Sequence, residues 1–126
     1  MRVMEDGADT RVYELYTAGR AHLAAGEWLR AIPPLEEARD LAPDKGSIRE
    51  ALGVAYLRAR RHADAEREIA VAVDLAPNDH YAYYLLGRAQ QALGRISLAR
   101  GSYKMAVWLR PNSEDYRQAL RDLPAA

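Results

Sequence analysis

The chain has 126 residues, of which 49% are hydrophobic and 29% charged, a composition sufficient for one folded domain with a core. Cysteine is absent, which excludes disulfide frameworks, thiolate zinc sites and cysteine nucleophiles. Eighteen basic residues balance eighteen acidic ones, so net charge draws the chain neither to nucleic acid nor to anionic membranes. Because no apolar run approaches the ~18 residues of a membrane helix and no signal-peptide pattern is present, we expect a soluble cytoplasmic protein.

The composition also favours helices over strands. Ala occurs 24 times, and it is the residue with the highest helix propensity. Val, Ile and Thr are scattered, and no segment alternates between apolar and polar residues as a half-buried strand would. The sequence therefore predicts an all-α protein.

An internal repeat divides the chain. Pro43, Pro77 and Pro111 lie 34 residues apart. The same 34-residue spacing aligns three further sets of equivalent positions, which we call columns. They are a glycine column (Gly19, Gly53 and Gly87), an alanine column (Ala31, Ala65 and Ala99) and a leucine column (Leu41, Leu75 and Leu109). Such a period indicates stacked supersecondary units. The predicted units are residues 12–45, 46–79 and 80–113, preceded by an N-terminal extension (1–11) and followed by a capping helix and tail (114–126).

Each unit is predicted to contain two helices separated by a turn. The predicted pairs are residues 12–25 and 28–41, 47–59 and 63–75, and 81–93 and 96–109. The glycine column of each first helix is expected to admit the Ala31, Ala65 and Ala99 column of the second helix. After Ser113, a good N-cap residue, an apolar stripe at helical spacing predicts a seventh helix that covers the third unit.

Pro33 and Pro34 conflict with the second predicted helix. Each proline removes one helix hydrogen bond and clashes with the carbonyl group one turn back. Either the helix begins late, near Ile32, or it bends at the prolines. We expect a bend, because the helical pattern continues to Leu41.

The columns resemble those of the tetratricopeptide repeat family. The segments LGVAY at 52–56 and LLGRAQQALG at 85–94, together with the closing prolines, carry the resemblance, which covers residues 12–113. His22 and Gln90 depart from it, because the family pattern has Tyr at their position. The resemblance implies an α-solenoid of three helical hairpins plus the capping helix, wound as a right-handed superhelix. It also implies a non-enzymatic module whose first helices line a concave groove that binds a peptide or partner helix.

Units one and three carry the same triplet on the predicted groove face. Tyr and Arg side chains offer rigid contact area, hydroxyl groups and planar donors for carboxylates. Helical spacing places each triplet on one face, outside the predicted hairpin core. The predicted peptide-binding residues are Tyr13, Tyr16 and Arg20 in unit one, Glu50, Val54 and Arg58 in unit two, and Tyr81, Tyr84 and Arg88 in unit three. Alternatively, the tyrosines fill gaps between neighbouring first helices.

No catalytic, metal or cofactor motif is present. His22, His62 and His80 are far apart and lack metal-ligand spacing, so we predict no enzyme activity and no cofactor. The family's carboxylate clamp for acidic chaperone tails is also not expected. The clamp positions are occupied here by Tyr16, Arg20, Ala51, Tyr81 and Leu85, of which Arg20 alone could substitute.

Charge is distributed unevenly along the chain. Residues 1–45 carry nine acids and six bases, residues 46–79 six acids and five bases, and residues 80–126 three acids and seven bases. Nucleic acid and membranes are not expected partners. The leading hypothesis is an adaptor that binds a peptide or partner helix in the groove. The alternative is a structural scaffold that self-associates through the groove or its oppositely charged ends.

Overall fold

The computed structural model describes the backbone of residues 2–125 and the side chains of residues 7–125. This part of the chain contains seven helices and no strand, which confirms the all-α prediction. The helices are α1 (Arg2–Ala24), α2 (Trp28–Leu41), α3 (Gly46–Arg58), α4 (His62–Leu75), α5 (His80–Ala92), α6 (Ile96–Leu109) and α7 (Glu114–Arg121). Met1 and Ala126, the outer ends of the predicted extension and tail, lie outside the described residues.

The helix bounds follow the repeat closely. Helices α2 and α6 have the predicted bounds, and α3, α4 and α5 each begin one residue early. Helix α1 begins at Arg2, so residues 2–11 continue the first helix of unit one.

The helices pair as three hairpins, α1 with α2, α3 with α4, and α5 with α6. Helix α1 also contacts α3, and α3 contacts α5, so the three first helices form a continuous layer. Helices α2 and α4 pack against the first helix of the following unit, and α7 packs against α6. This stacking positions the first helices side by side, where their exposed faces form one surface.

The small-residue columns lie at the helix crossings, but their pairing differs from the prediction. Ala31, Ala65 and Ala99 are fully buried, as expected. The glycines, however, face a bulky column one turn further along each second helix. A Cβ atom on Gly19, Gly53 or Gly87 would collide with the side chain of Leu35, Ile69 or Tyr103, respectively. The glycines therefore admit these large side chains rather than the alanines.

Helix α2 accommodates both prolines. It begins at Trp28, so the alternative in which it starts near Ile32 is wrong. Pro33 and Pro34 leave the carbonyl groups of Leu29 and Arg30 without amide donors. Both of these residues are exposed, so water can reach the two carbonyl groups. The expected bend stays a prediction.

Helix α7 covers unit three, as predicted. The Ser113 hydroxyl accepts a hydrogen bond from the amide of Tyr116 at 3.3 Å and caps the helix. Tyr116 is buried, and Leu123 packs in a cluster with Ala99 and Tyr103. Unit three thus has its apolar face covered.

Candidate functional site

Two neighbouring depressions follow the exposed faces of the first helices. The depression between α1 and α3 has a volume of about 390 Å³, and the one between α3 and α5 about 720 Å³. Val54 and Tyr81 line both of them, so the two join into one groove that crosses all three units. We call this joined surface the groove.

Eight of the nine predicted site residues line the groove. These are Tyr16, Arg20, Glu50, Val54, Arg58, Tyr81, Tyr84 and Arg88. Tyr13 lines neither depression and is 69% exposed. The two triplets therefore differ. Tyr81 reaches α3 of the preceding unit, whereas Tyr13 has no such neighbouring helix beside it among the described residues.

The rest of the duplicated pattern has the same geometry in both units. Arg20 Nη1 donates to the Tyr16 hydroxyl at 2.8 Å, and Arg88 Nη1 donates to the Tyr84 hydroxyl at 3.1 Å. Each guanidinium also lies over the ring of its tyrosine, 5.6 and 5.8 Å from the centroid. In unit three, Tyr81 stacks on Tyr84 with 6.2 Å between ring centroids. These contacts hold each arginine over an aromatic surface.

Tyr16 and Tyr84 are not outside the core, contrary to the expectation. Tyr16 packs against two core clusters. The Tyr84 ring lies 5.9 Å from that of Tyr103 and 5.1 Å from that of Tyr116. Both tyrosines therefore support the fold as well as lining the groove, and the gap-filling alternative describes part of their role.

The sequence interpretation missed Arg60. It stands in the turn where units one and three have Gly26 and Gly94, and its φ is 63°, in the left-handed region. For a residue with a Cβ atom this conformation costs about 1 kcal/mol. Arg60 nevertheless lines the groove. Its place in the glycine column was the signal that could have identified it, because strained residues cluster at functional sites.

The groove arginines have no carboxylate partners within the described part of the chain. Arg58 lies over the Trp28 ring, 5.4 Å from its centroid. Arg20 and Arg88 bond to tyrosines, and neither these arginines nor Arg58 or Arg60 forms an ion pair. Four cationic groups are therefore available to an anionic ligand.

Glu50, the carboxylic acid in the groove, lies beside Asp79. Burial and the neighbouring Asp79 raise the pKa of Glu50 to about 8, against a smaller opposing effect of Arg20. Burial opposes ionisation of Asp79, but hydrogen bonds from Glu50 and from the amides of Ala82 and Tyr81 lower its pKa. Asp79 caps the N-terminus of α5, where the helix dipole favours its charged form. The raised pKa favours the uncharged form of Glu50, which opposes the charge of the groove arginines less than a carboxylate would.

The raised pKa of Glu50 predicts that the stability of the fold depends on pH. Between the unfolded pKa of about 4.5 and the folded value of about 8, folded Glu50 binds a proton that the unfolded chain has released. Its contribution is present below that window and is lost as the pH rises through it. We expect the free energy of unfolding to be higher at pH 6 than at pH 8.5, by on the order of 1–2 kcal/mol after solvent screening.

The measurement is chemical denaturation across this pH range, with Glu50→Gln as the matched variant. The glutamine side chain of this variant cannot ionise, so its stability profile should be flatter than that of the wild type. Equal pH profiles for the two proteins would show that the ionisation of Glu50 does not affect stability in this range.

The described residues offer no metal site and no membrane span. No group of three or more His, Asp or Glu side chains among them could hold a metal ion. None of the helices in this part of the chain is long and apolar enough to cross a bilayer.

Comparisons with known proteins give one consistent family. A family model described as tetratricopeptide repeat matches residues 16–80. The curated mouse (Mus musculus) protein Superkiller complex protein 3 is 32% identical over 105 residues. The match covers 83% of this chain but 6% of that protein, so this chain corresponds to a small part of the relative's length.

Solved structures share the architecture over most of the chain. The first TPR of Spaghetti (RPAP3), bound to the HSP90 peptide SRMEEVD, has a TM-score of 0.85 and 26% identity, covering 89% of each chain. MamA from Desulfovibrio magneticus RS-1 has a TM-score of 0.83 and 28% identity, covering 86% of this chain and 62% of the other.

Proposed function

The chain belongs to the tetratricopeptide repeat family, whose domains mediate protein–protein interaction, and from this premise we propose that it is an adaptor that binds an acidic peptide segment in the groove. The proposal extends the family's role to a site and a ligand class. It assigns no chemistry to the chain, because the fold is typically a non-enzymatic interaction module.

The observation that carries the proposal is the set of four groove arginines without ion pairs. By contrast, Arg39 and Arg49, which pack between the helices of units one and two, both form ion pairs with Glu68. Arg60 keeps its place in the groove at a cost in backbone strain. The raised pKa of Glu50 favours its uncharged form, which offsets their charge less than a carboxylate would. The groove therefore favours glutamate, aspartate or phosphate groups on the ligand.

The spacing of the Tyr–Arg pairs suits an extended segment. Neighbouring first helices lie about 10 Å apart, so the pairs of units one and three are on the order of 20 Å apart. An extended peptide rises ~3.3 Å per residue, so about six ligand residues would connect the two pairs. Alternate ligand side chains point the same way and could meet Arg20 and Arg88 in turn.

The mode of binding proposed here differs from a carboxylate clamp for chaperone tails. Spaghetti's first TPR is described with an acidic HSP90 peptide. In this chain, two of the clamp positions hold Ala51 and Leu85, whose side chains are buried in the core. An acidic segment within a partner chain, rather than a free C-terminal carboxylate, is the proposed ligand.

The test is capture of partners from the native lysate, followed by binding titrations with the captured protein. The variant Arg20→Gln/Arg88→Gln should weaken binding at least about tenfold, and the remaining binding should depend less on salt. Both side chains are exposed, so the fold should persist. A native partner that binds this variant as well as the wild type would end the proposal.

Arg60→Gly separates binding from stability. Gly is the residue of units one and three at this turn, and it relieves the left-handed strain, so the variant should be more stable by about 1 kcal/mol. It should nevertheless bind the captured partner more weakly. Weaker binding by a more stable protein cannot be attributed to unfolding.

A further inference from the structure

Helix α6 carries an apolar ridge on its outer face. Leu98, Gly101, Met105 and Trp108 follow one another at spacings of three, four and three residues, so they share a helix face. Leu98 is 56% exposed, Met105 38% and Trp108 78%. We call these four residues the α6 ridge.

The internal repeat shows that this ridge is specific to unit three. The residues at its four positions are Arg30, Pro33, Glu37 and Asp40 in unit one and Asp64, Arg67, Val71 and Asp74 in unit two. Six of these eight are charged, and several form ion pairs, such as Glu37 with Arg11. The outer faces of α2 and α4 are therefore suited to water, whereas the same face of α6 is not.

Gly101 leaves the middle of the ridge open to a close approach. A Cβ atom on Gly101 would meet no atom of the described residues within 4 Å, so their packing does not require a glycine there. A glycine inside an exposed helix costs about 1 kcal/mol relative to Ala. The missing side chain opens a notch between Leu98 and Met105, through which another helix could approach the backbone.

The charges beside the ridge indicate which charge a binding partner should carry. Helix α6 contains Arg100 and Lys104 and no acidic residue. Lys104 lies four residues before Trp108, at the edge of the ridge, and it forms no ion pair within the described residues. A partner whose apolar face is flanked by carboxylates complements this edge.

We propose that the α6 ridge docks an amphipathic helix of a partner protein, with apolar residues on one face and Glu or Asp beside them. The ridge spans about 15 Å, the length of a ten-residue helix. One helix face of this length offers well under the ~800 Å² per partner of a stable dimer interface. Pairing two α6 helices would also bring cations against cations. The occupant is therefore a partner helix rather than a second copy, and this site is separate from the groove.

The test uses two fluorescent peptides, each about as long as α6, with the same leucines at helical spacing. One peptide carries Glu beside the leucines and the other carries Lys. Fluorescence anisotropy with the full chain should show that the Glu peptide binds at least about tenfold more tightly. The variant Leu98→Asp/Trp108→Asp introduces the residues of unit two at these positions, and it should weaken that binding at least about tenfold without a change in melting temperature.

Two further variants complete the design. Lys104→Glu keeps the apolar ridge and should reverse the preference between the two peptides. Because the cationic groove could also attract the Glu peptide, all titrations are repeated with Arg20→Gln/Arg88→Gln, in which the effects of the ridge variant and of Lys104→Glu on peptide binding should persist. Equal binding of both peptides, no binding of either, or binding unaffected by the ridge variant would overturn the proposal. A wild-type dimer in sedimentation that the ridge variant converts to a monomer would overturn it too, in favour of self-association.

Discussion

Replacing Glu68 by Ala is expected to lower the free energy of unfolding by about 3 kcal/mol. Glu68 is 8% exposed, and its two carboxylate oxygens accept hydrogen bonds from Arg39 at 2.7 Å and from Arg49 at 3.0 Å. These contacts join α2 of unit one to α3 and α4 of unit two. Removing the carboxylate leaves Arg49 without an ion pair among the described residues and Arg39 with the exposed Asp40 alone, so two largely buried guanidinium groups face each other, which costs more than the pair contributes by itself.

Glu66→Ala is the matched control for this prediction. Glu66 lies two residues earlier on the same helix and bonds Arg95 of unit three at 2.6 Å, but Arg95 is about half exposed. Because water can solvate Arg95 after the change, the loss should stay below about 1 kcal/mol. Denaturant titrations of both variants measure the difference. Equal losses would mean that burial of the Glu68 network does not set its contribution.

Gly87→Ala and Gly101→Ala should change stability in opposite directions. Both glycines lie inside helices, so each replacement gains about 1 kcal/mol of helix propensity. At Gly87 the new methyl group would enter the ring of Tyr103, which is fully buried and donates a hydrogen bond to Gln91 at 2.8 Å. Overpacking of this kind costs about 1–3 kcal/mol and occasionally more, so the net change should be a loss of about 1–2 kcal/mol.

At Gly101 the same methyl group meets no atom within 4 Å in the described part of the chain, so the gain of about 1 kcal/mol should be kept. Thermal or urea unfolding of the two variants gives the comparison. A stabilised Gly87→Ala variant would show that Tyr103 can move aside, and that the close approach of α5 and α6 is not a constraint on this position.

The Tyr–Arg pairs illustrate how far residue patterns predict a site. The pattern in units one and three predicted that Tyr16, Arg20, Tyr84 and Arg88 lie on one surface, because helical spacing and the 34-residue period determine which face each residue occupies. Tyr13 followed the same pattern, yet it lies outside the groove. A groove wall beside Tyr13 would need a neighbouring helix on that side of α1. The repeat pattern of the sequence does not show whether such a helix is there.

The pairing between columns was also decided by packing. The sequence identified the columns of Gly19, Gly53 and Gly87, but it assigned them the alanines as partners. Leu35, Ile69 and Tyr103 occupy those crossings instead. The axial offset and the crossing angle of the two helices determine which turn of the second helix faces a glycine of the first. The sequence pattern alone does not reveal this turn, because small residues recur on several turns.

The sequence by itself determined the number of helices, nearly all of their bounds and the order in which they pair. These properties depend on local signals, namely helix propensity, turn glycines and the prolines at Pro43, Pro77 and Pro111, which act within a few residues of where they stand. Tertiary structure alone decided that Glu68 joins two arginines 29 and 19 residues away, and that Glu50 lies beside Asp79. Those contacts arise within unit two and between units one and two, where the stacking of helices brings together side chains that no local spacing relates.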